Sequence, residues 1–188
     1  KQKKSICVFC GSKTGNSALY KDATLELGEQ LAKNEIKLIY GGGSLGLMGE
    51  LSKSVHRNKG EVLGVIPKNL LKIEGINKNH GEIIITDDMH KRKKTMYENA
   101  DAFLCLPGGI GTLEEVSETI TWFQLNINRK PIFFLNINGY WNNFRVLLEQ
   151  FVSLEFSDQD LLNYFIFFES VETLMPSLLS SLDIPSKE

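Results

Sequence analysis

Ala102-Phe103-Leu104-Cys105-Leu106-Pro107-Gly108-Gly109-Ile110-Gly111-Thr112-Leu113-Glu114-Glu115 opens as an apolar run of strand length, breaks at a glycine turn and continues with helical character. The same grammar occurs twice upstream. Ser5 to Phe9 reads as a strand and is followed by Gly11-Ser12. Ile36 to Tyr40 reads as a strand and runs into Gly41-Gly42-Gly43-Ser44-Leu45-Gly46-Leu47-Met48-Gly49. A strand that is apolar on both faces is expected where helices cover both sides of a parallel sheet.

The intervening segments fit that architecture. Helical periodicity is read over Ala18 to Lys33, Leu47 to Asn58, Asp88 to Asn99, Thr112 to Leu125, Trp141 to Val152 and Val171 to Leu182. Further strands are read at Glu61 to Ile66, Glu82 to Thr86, Pro131 to Leu135 and Phe165 to Phe168. The expected fold is therefore α/β: a single-domain Rossmann-like, doubly wound parallel sheet flanked by helices and spanning residues 1–188. No internal repeat, low-complexity tract or linker interrupts it. Leu70 to Gly81 is the longest irregular segment and is expected to be a mobile loop near a ligand.

The composition narrows the partners. Of 188 residues, 42% are hydrophobic and 23% charged, and the net charge of −2 is too balanced for a protein that coats nucleic acid. No apolar run reaches the roughly 20 residues that cross a bilayer, and none has the form of a secretion signal. A small-molecule partner in the cytoplasm is expected, without nucleic acid polymer or membrane. The three cysteines, Cys7, Cys10 and Cys105, are an odd number and do not suggest a disulfide framework. Cys7 and Cys10 form a C-x-x-C pair, but a redox pair of this type opens a helix, whereas this one closes a strand. With no second pair or nearby His, the two also make a poor zinc site. Both are read as small buried residues, and no metal or cofactor is expected.

In an open parallel sheet, ligands bind at the carboxyl ends of the strands, where all three glycine turns fall. Gly41, Gly43 and Gly46 satisfy G-x-G-x-x-G, but the acidic residue of a dinucleotide fingerprint should end the next strand, and Glu61 begins one. The glycines could instead serve only close packing of helix on sheet. A backbone cradle for a mononucleotide is preferred to either. Gly11, Ser12, Gly42, Gly43 and Gly46 are accordingly candidate binding positions.

The turn Gly108 to Thr112 places successive backbone N–H groups at a helix start, where the dipole and unpaired donors favour a phosphate. Thr112 can cap the helix or donate to the anion, and Glu114 and Glu115 suit a first turn electrostatically. A carboxylate beside a bound phosphate is repelled by it, however, so a glutamate facing the site points to base chemistry. Upstream, Asp87-Asp88-Met89-His90-Lys91-Arg92-Lys93-Lys94 carries a charge run whose Lys91 and Lys94 read as a solvated face. The helix carrying Arg92 starts at the same edge as the glycine turns, so its guanidinium could reach a phosphate or ribose.

Met89-His90-Lys91-Arg92-Lys93 and Pro107-Gly108-Gly109-Ile110-Gly111-Thr112-Leu113-Glu114-Glu115, with Cys7-Val8-Phe9-Cys10-Gly11-Ser12 and the Gly41 to Gly49 turn, resemble the Lonely Guy family over nearly the whole chain. These cytokinin riboside 5′-monophosphate phosphoribohydrolases have long been labelled lysine decarboxylases. The resemblance implies a Rossmann-like homodimer that hydrolyses the N-glycosidic bond of a purine nucleoside 5′-monophosphate, giving free base and ribose 5-phosphate. It also implies Arg92 and Glu115 as the catalytic pair and Lys93, Gly109, Gly111, Thr112 and Glu114 as binding positions. By local matching it adds Glu74 and Thr121. Between Leu70 and Gly81 the pattern departs from the family at Ile76-Asn77-Lys78-Asn79-His80, which bears on base specificity. The decarboxylase label finds no pyridoxal phosphate lysine in its usual setting.

These residue types suit the implied chemistry. Cleavage of a ribosyl C–N bond passes through an oxocarbenium-like state, which a carboxylate such as Glu115 can stabilise while orienting water. Arg92 keeps its charge at any working pH and is assigned to positioning rather than proton donation. No second acid stands out for the leaving base. Met89, Met96 and Ile73 could line an apolar base pocket, although Met at helical spacing usually belongs to the core. The rivals are a non-catalytic nucleotide or molybdenum-cofactor carrier on the same fold, a dehydrogenase using the Gly41 turn, and a thiol redox protein. The apolar side chains of the helix Glu114 to Leu125 are a candidate dimer face or core.

Overall fold

The computed structural model describes residues 3–76 and 80–185. Strands β1 (Ser5–Phe9), β2 (Lys37–Tyr40), β3 (Val62–Pro67), β4 (Glu82–Thr86), β5 (Ala102–Cys105), β6 (Ile132–Leu135) and β7 (Phe165–Phe168) form one sheet in the order β4-β3-β2-β1-β5-β6-β7. Every neighbouring pair is parallel. The chain winds outward from β1 to β4, then returns to lay β5 on the other side of β1. Strand order therefore reverses between β1 and β5, and the crevice that opens there at the carboxyl ends is where such sheets take ligands.

The helices are α1 (Ala18–Lys33), α2 (Gly46–Arg57), α3 (Leu71–Glu74), α4 (Met89–Asn99), α5 (Ile110–Gln124), α6 (Asn142–Ser153) and α7 (Val171–Ser181). Alternation along β1 shows how they share the sheet. Ile6 and Val8 join a core layer with Leu27 and Leu31 of α1, Leu51 of α2 and Leu174 of α7. Cys7 and Phe9 face the opposite layer, with Met96 of α4, Val116 and Ile120 of α5 and Leu148 of α6. Period-2 side-chain direction in a strand covered on both faces produces this division, and it explains why all five residues of β1 are buried.

Helix starts follow local chemistry where a side chain is available. The Asp88 carboxylate accepts from the Lys91 N–H at the start of α4, and Ser170 and Thr173 form a reciprocal capping box at α7. The start of the segment expected to be irregular is ordered as helical turns, while Gly75 and Ile76 belong to no regular element. A 3-10 turn at Lys68–Leu70 leads into α3, so Glu74 is carried by a helical turn. Positions 77–79 lie outside the described residues. No helix among the described residues is long and apolar enough to cross a membrane.

Cys7, Cys10 and Cys105 are free and buried, and burial pushes all three thiols up from the ordinary range. Thiolates are therefore scarce, and a thiol reagent should label the native protein at least about a hundredfold more slowly than the urea-unfolded chain. Mass spectrometry of the labelled protein checks this. Rapid native labelling of Cys7 or Cys10 would revive the redox reading.

Candidate active site

A cavity of about 570 Å³ opens at the carboxyl edge of β1 and β5, a volume within the ordinary range for a small-molecule site. Its walls come from the turn after β1, the start of α2, Glu74 at the end of α3, Met89 and Arg92 on α4, the turn and helix start after β5, and Tyr140 after β6. Of the candidate residues, Gly11, Ser12, Glu74, Met89, Arg92, Gly108, Gly109, Gly111, Thr112, Glu114 and Glu115 line it.

The turn after β5 is built for close approach of a ligand. Gly109 is the N-cap of α5 and offers no side-chain cap. Thr112 is therefore the third helical residue rather than the cap, and Glu114 and Glu115 lie beyond the first turn, which holds no acidic residue. The N–H groups of Ile110, Gly111 and Thr112 have no acceptor within the helix by construction. Side chains added at Gly109 or Gly111 would meet nothing within 4 Å, so open space fronts these donors. An anion fits there on electrostatic grounds.

Arg92 is buried, at 4% exposure, and strongly held. Its Nε donates to the Val65 carbonyl at 3.0 Å and its Nη2 to the Gly41 carbonyl at 2.8 Å, so the ends of β3 and β2 grip the guanidinium. Nη1 lies 3.7 Å from the Met89 sulfur. Glu74 Oε2 lies 3.9 Å from Nη2, is buried and makes no hydrogen bond. Burial raises the Glu74 carboxyl, and the charge of Arg92 partly opposes it. Glu115 is pushed up to about 7, chiefly by burial, with Arg92 opposing and Glu114 and Glu74 adding to the rise. Carboxyl groups with raised values around a fixed cation, in a cleft, mark a place where proton transfer near neutral pH is available.

Several expected contacts are placed elsewhere. Gly42, Gly43 and Gly46 do not line the cavity. A side chain at Gly46 would strike the Ser12 carbonyl, one at Gly43 would press Met48 and Glu74, and Gly42 and Gly46 have positive φ. The turn after β2 thus packs closely on its neighbours and holds Arg92 through the Gly41 carbonyl. Lys93 is buried beside the site, bonded to Glu114 at 2.6 Å and to Glu118, and does not line the cavity. Burial lowers its ammonium, but those two carboxylates outweigh this and leave it raised. Thr121 is exposed on α5 with its hydroxyl on the Ser117 carbonyl, away from the cavity of this chain. Met96 is core and Ile73 is 70% exposed. On α5, Val116, Ile120 and Phe123 belong to the core, and Leu125, just past its end, is exposed.

The sequence reading missed Tyr20 and Tyr140, and also Lys13, Leu47, Met48 and Leu70, all of which line the cavity. The carboxyl-edge rule could have found Tyr140, which follows β6 after the short turn Ile137–Gly139. No comparable signal marks Leu70, which arrives by the fold of the segment before α3.

This fold and cavity define a Rossmann-like α/β protein with a ligand site at its topological switch point. Residues 48–178 match the family described as possible lysine decarboxylase. A probable cytokinin riboside 5′-monophosphate phosphoribohydrolase of Oryza sativa subsp. japonica is 46% identical over 175 residues, covering 93% of this chain and 76% of the rice protein. A cytokinin riboside 5′-monophosphate phosphoribohydrolase of Arabidopsis thaliana is 50% identical over 149 residues, covering 79% of this chain and 69% of the plant protein. Among solved structures, the molybdenum cofactor carrier protein of Chlamydomonas reinhardtii superposes with a TM-score of 0.72 at 22% identity, covering 97% of this chain and 99% of that one, a likeness of fold. The chain belongs to the Lonely Guy family of phosphoribohydrolases, for which the possible lysine decarboxylase description is the older label.

Proposed function

We infer that this chain hydrolyses the N-glycosidic bond of a purine nucleoside 5′-monophosphate, releasing the free base and ribose 5-phosphate. The observation that carries the reading is the meeting, in one cavity, of the open N–H turn at Gly109 to Thr112, the anchored Arg92 and the raised carboxyl of Glu115. The phosphate sits on the turn, where the helix start offers donors without side-chain crowding. The ribose then lies toward Glu115, one helical turn further along α5.

As the C1′–N9 bond breaks, its electron pair leaves with the base, which takes up a proton from solvent water, and positive charge grows on the ribose. Ionised Glu115 stabilises that charge and takes the proton of the attacking water. That proton returns to solvent, so that one water is consumed for each bond cleaved. Arg92, held by two backbone carbonyls, positions ribose and carboxylates without exchanging protons. Glu74, with its buried and unbonded Oε2, contributes a second carboxyl group to the site. The site residues beyond this core are Met89, Gly11, Ser12, Gly108 and Glu114. Lys93 acts through Glu114 and Glu118.

The reading extends to one nucleotide-binding domain, working as a homodimer in the cytoplasm. Exposed Leu125 and Ile127 at the end of α5 and the three free, buried thiols support it. The test is incubation of the purified protein and its Glu115→Gln variant with AMP and with isopentenyladenosine monophosphate, followed by chromatography of base and ribose 5-phosphate. Release by the wild type alone is expected, and the ratio between substrates ranks cytokinin activation against general nucleotide turnover. Binding of both nucleotides without release by either would overturn the reading in favour of a carrier.

A further inference from the structure

The phosphate turn consists of Gly108, Gly109, Ile110 and Gly111, a stretch with few conformational restraints of its own. A glycine-rich turn is a poor anion site if its peptide planes are free to rotate, because each rotation can swing a carbonyl oxygen toward the anion. Two bonds oppose this. The Gly11 N–H donates to the Pro107 carbonyl at 3.1 Å, and the Tyr140 hydroxyl donates to the Gly108 carbonyl. Both carbonyls at the head of the turn are thereby occupied by neighbouring loops. A trans peptide is planar, so pinning the Gly108 oxygen also fixes the direction of the Gly109 N–H.

Tyr140 is itself held in place by a loop of defined geometry. The loop that presents it has left-handed φ at Asn138 (52°) and Gly139 (70°). Buried Asn136 over-determines that loop. Its amide donates to Asn142 and Glu169, its side-chain oxygen accepts from the Trp141 N–H, and its own backbone N–H donates to Phe168. The left-handed turn at Asn138 and Gly139 suits these two residue types, and the Asn136 bonds fix it in one arrangement. The Tyr140 ring, 39% exposed, also lines the cavity and meets Tyr20 edge-on at 6.1 Å.

We propose that Tyr140 is the positioning residue of the phosphate turn: by fixing the Gly108 carbonyl, its hydroxyl keeps the Gly109 N–H aligned with the donors that open α5, arrayed together for a phosphate. This rests on the phosphate placement proposed above, but not on the hydrolysis. The role is one of preorganisation, so its loss weakens ground state and transition state alike.

Tyr140→Phe removes one oxygen from a partly exposed side chain and leaves the ring packing, which keeps the fold intact; equal melting temperatures check this. Titration calorimetry with inorganic phosphate and with ribose 5-phosphate should show roughly three- to tenfold weaker binding in the variant, the size expected for one net hydrogen bond. Affinity for adenosine, which lacks the phosphate, should stay within about twofold. In turnover of AMP, KM should rise by about the same factor with kcat nearly unchanged. Equal phosphate affinity in both proteins, an equal loss for adenosine, or no phosphate binding by the wild type would overturn the proposal. Phosphate binding that depends on Tyr140 in a protein that releases no base would sustain it while overturning the hydrolase reading.

Discussion

Glu115→Gln should lower kcat by about a thousandfold or more and, at pH 8, yield a more stable protein than the wild type. The first effect follows from removing the only group assigned both to the oxocarbenium charge and to the proton of water. The second follows from the carboxyl value of about 7 in the folded protein against an ordinary 4.5. The folded state binds this proton more tightly than the unfolded chain does. The group's contribution to stability is therefore complete below pH 4.5 and is lost as pH rises toward 7. Across that window the loss amounts to about 1–3 kcal/mol, reduced from the full shift because the side chain borders an open cavity. A neutral amide of the same shape escapes the loss. Urea midpoints at pH 5 and pH 8 measure it: the variant should gain on the wild type only at the higher pH. A variant less stable than wild type at pH 8 would mean that Arg92 stabilises the ionised carboxylate outright, and the activity of the wild type would then not rise through pH 7 as this assignment requires.

The sheet was legible because its strands are covered on both faces, which writes them as nearly unbroken apolar runs such as Ala102 to Leu106 and Ile132 to Leu135. The bounds of β4 at Glu82–Thr86 coincide with the reading because Gly81 and Asp87 flank it, and those of β7 at Phe165–Phe168 because its run of apolar residues stops at Glu169. The start of α5 was misplaced by two residues. Thr112 has the chemistry of a cap, but the helix begins earlier, on a glycine that no side chain announces. The Gly41 turn shows a different limit. Glycine spacing alone cannot distinguish a backbone that approaches a ligand from one that approaches another backbone, and here Gly46 meets the turn after β1. Arg92 gave the sequence only its position near the correct edge. Its grip on the Val65 and Gly41 carbonyls depends on β2 and β3 lying side by side, a pairing between residues distant in sequence that local pattern cannot express.

That grip makes Arg92 the position where a conservative change should be least tolerated. Arg92→Lys keeps the charge but has one nitrogen to replace three, so it cannot hold both carbonyls and still face Glu74. It should lower kcat/KM by about 100-fold or more while leaving the fold intact, since the ammonium can still satisfy one carbonyl. Arg92→Ala goes further. It leaves the Gly41 and Val65 carbonyls without this donor in a buried place, at a cost of about 2–4 kcal/mol, and the melting temperature reads this directly. It also removes the cation that holds down both Glu74 and Glu115. Whatever turnover survives should therefore need a higher pH, with the rising limb of kcat/KM displaced upward from its wild-type position near 7. A structural role alone would lower stability without moving that limb. If Arg92→Lys turns over at the wild-type rate, or if the limb stays in place in Arg92→Ala, the guanidinium is a brace for the strand ends, and the electrostatics of the site must be assigned to the N–H groups of α5 instead.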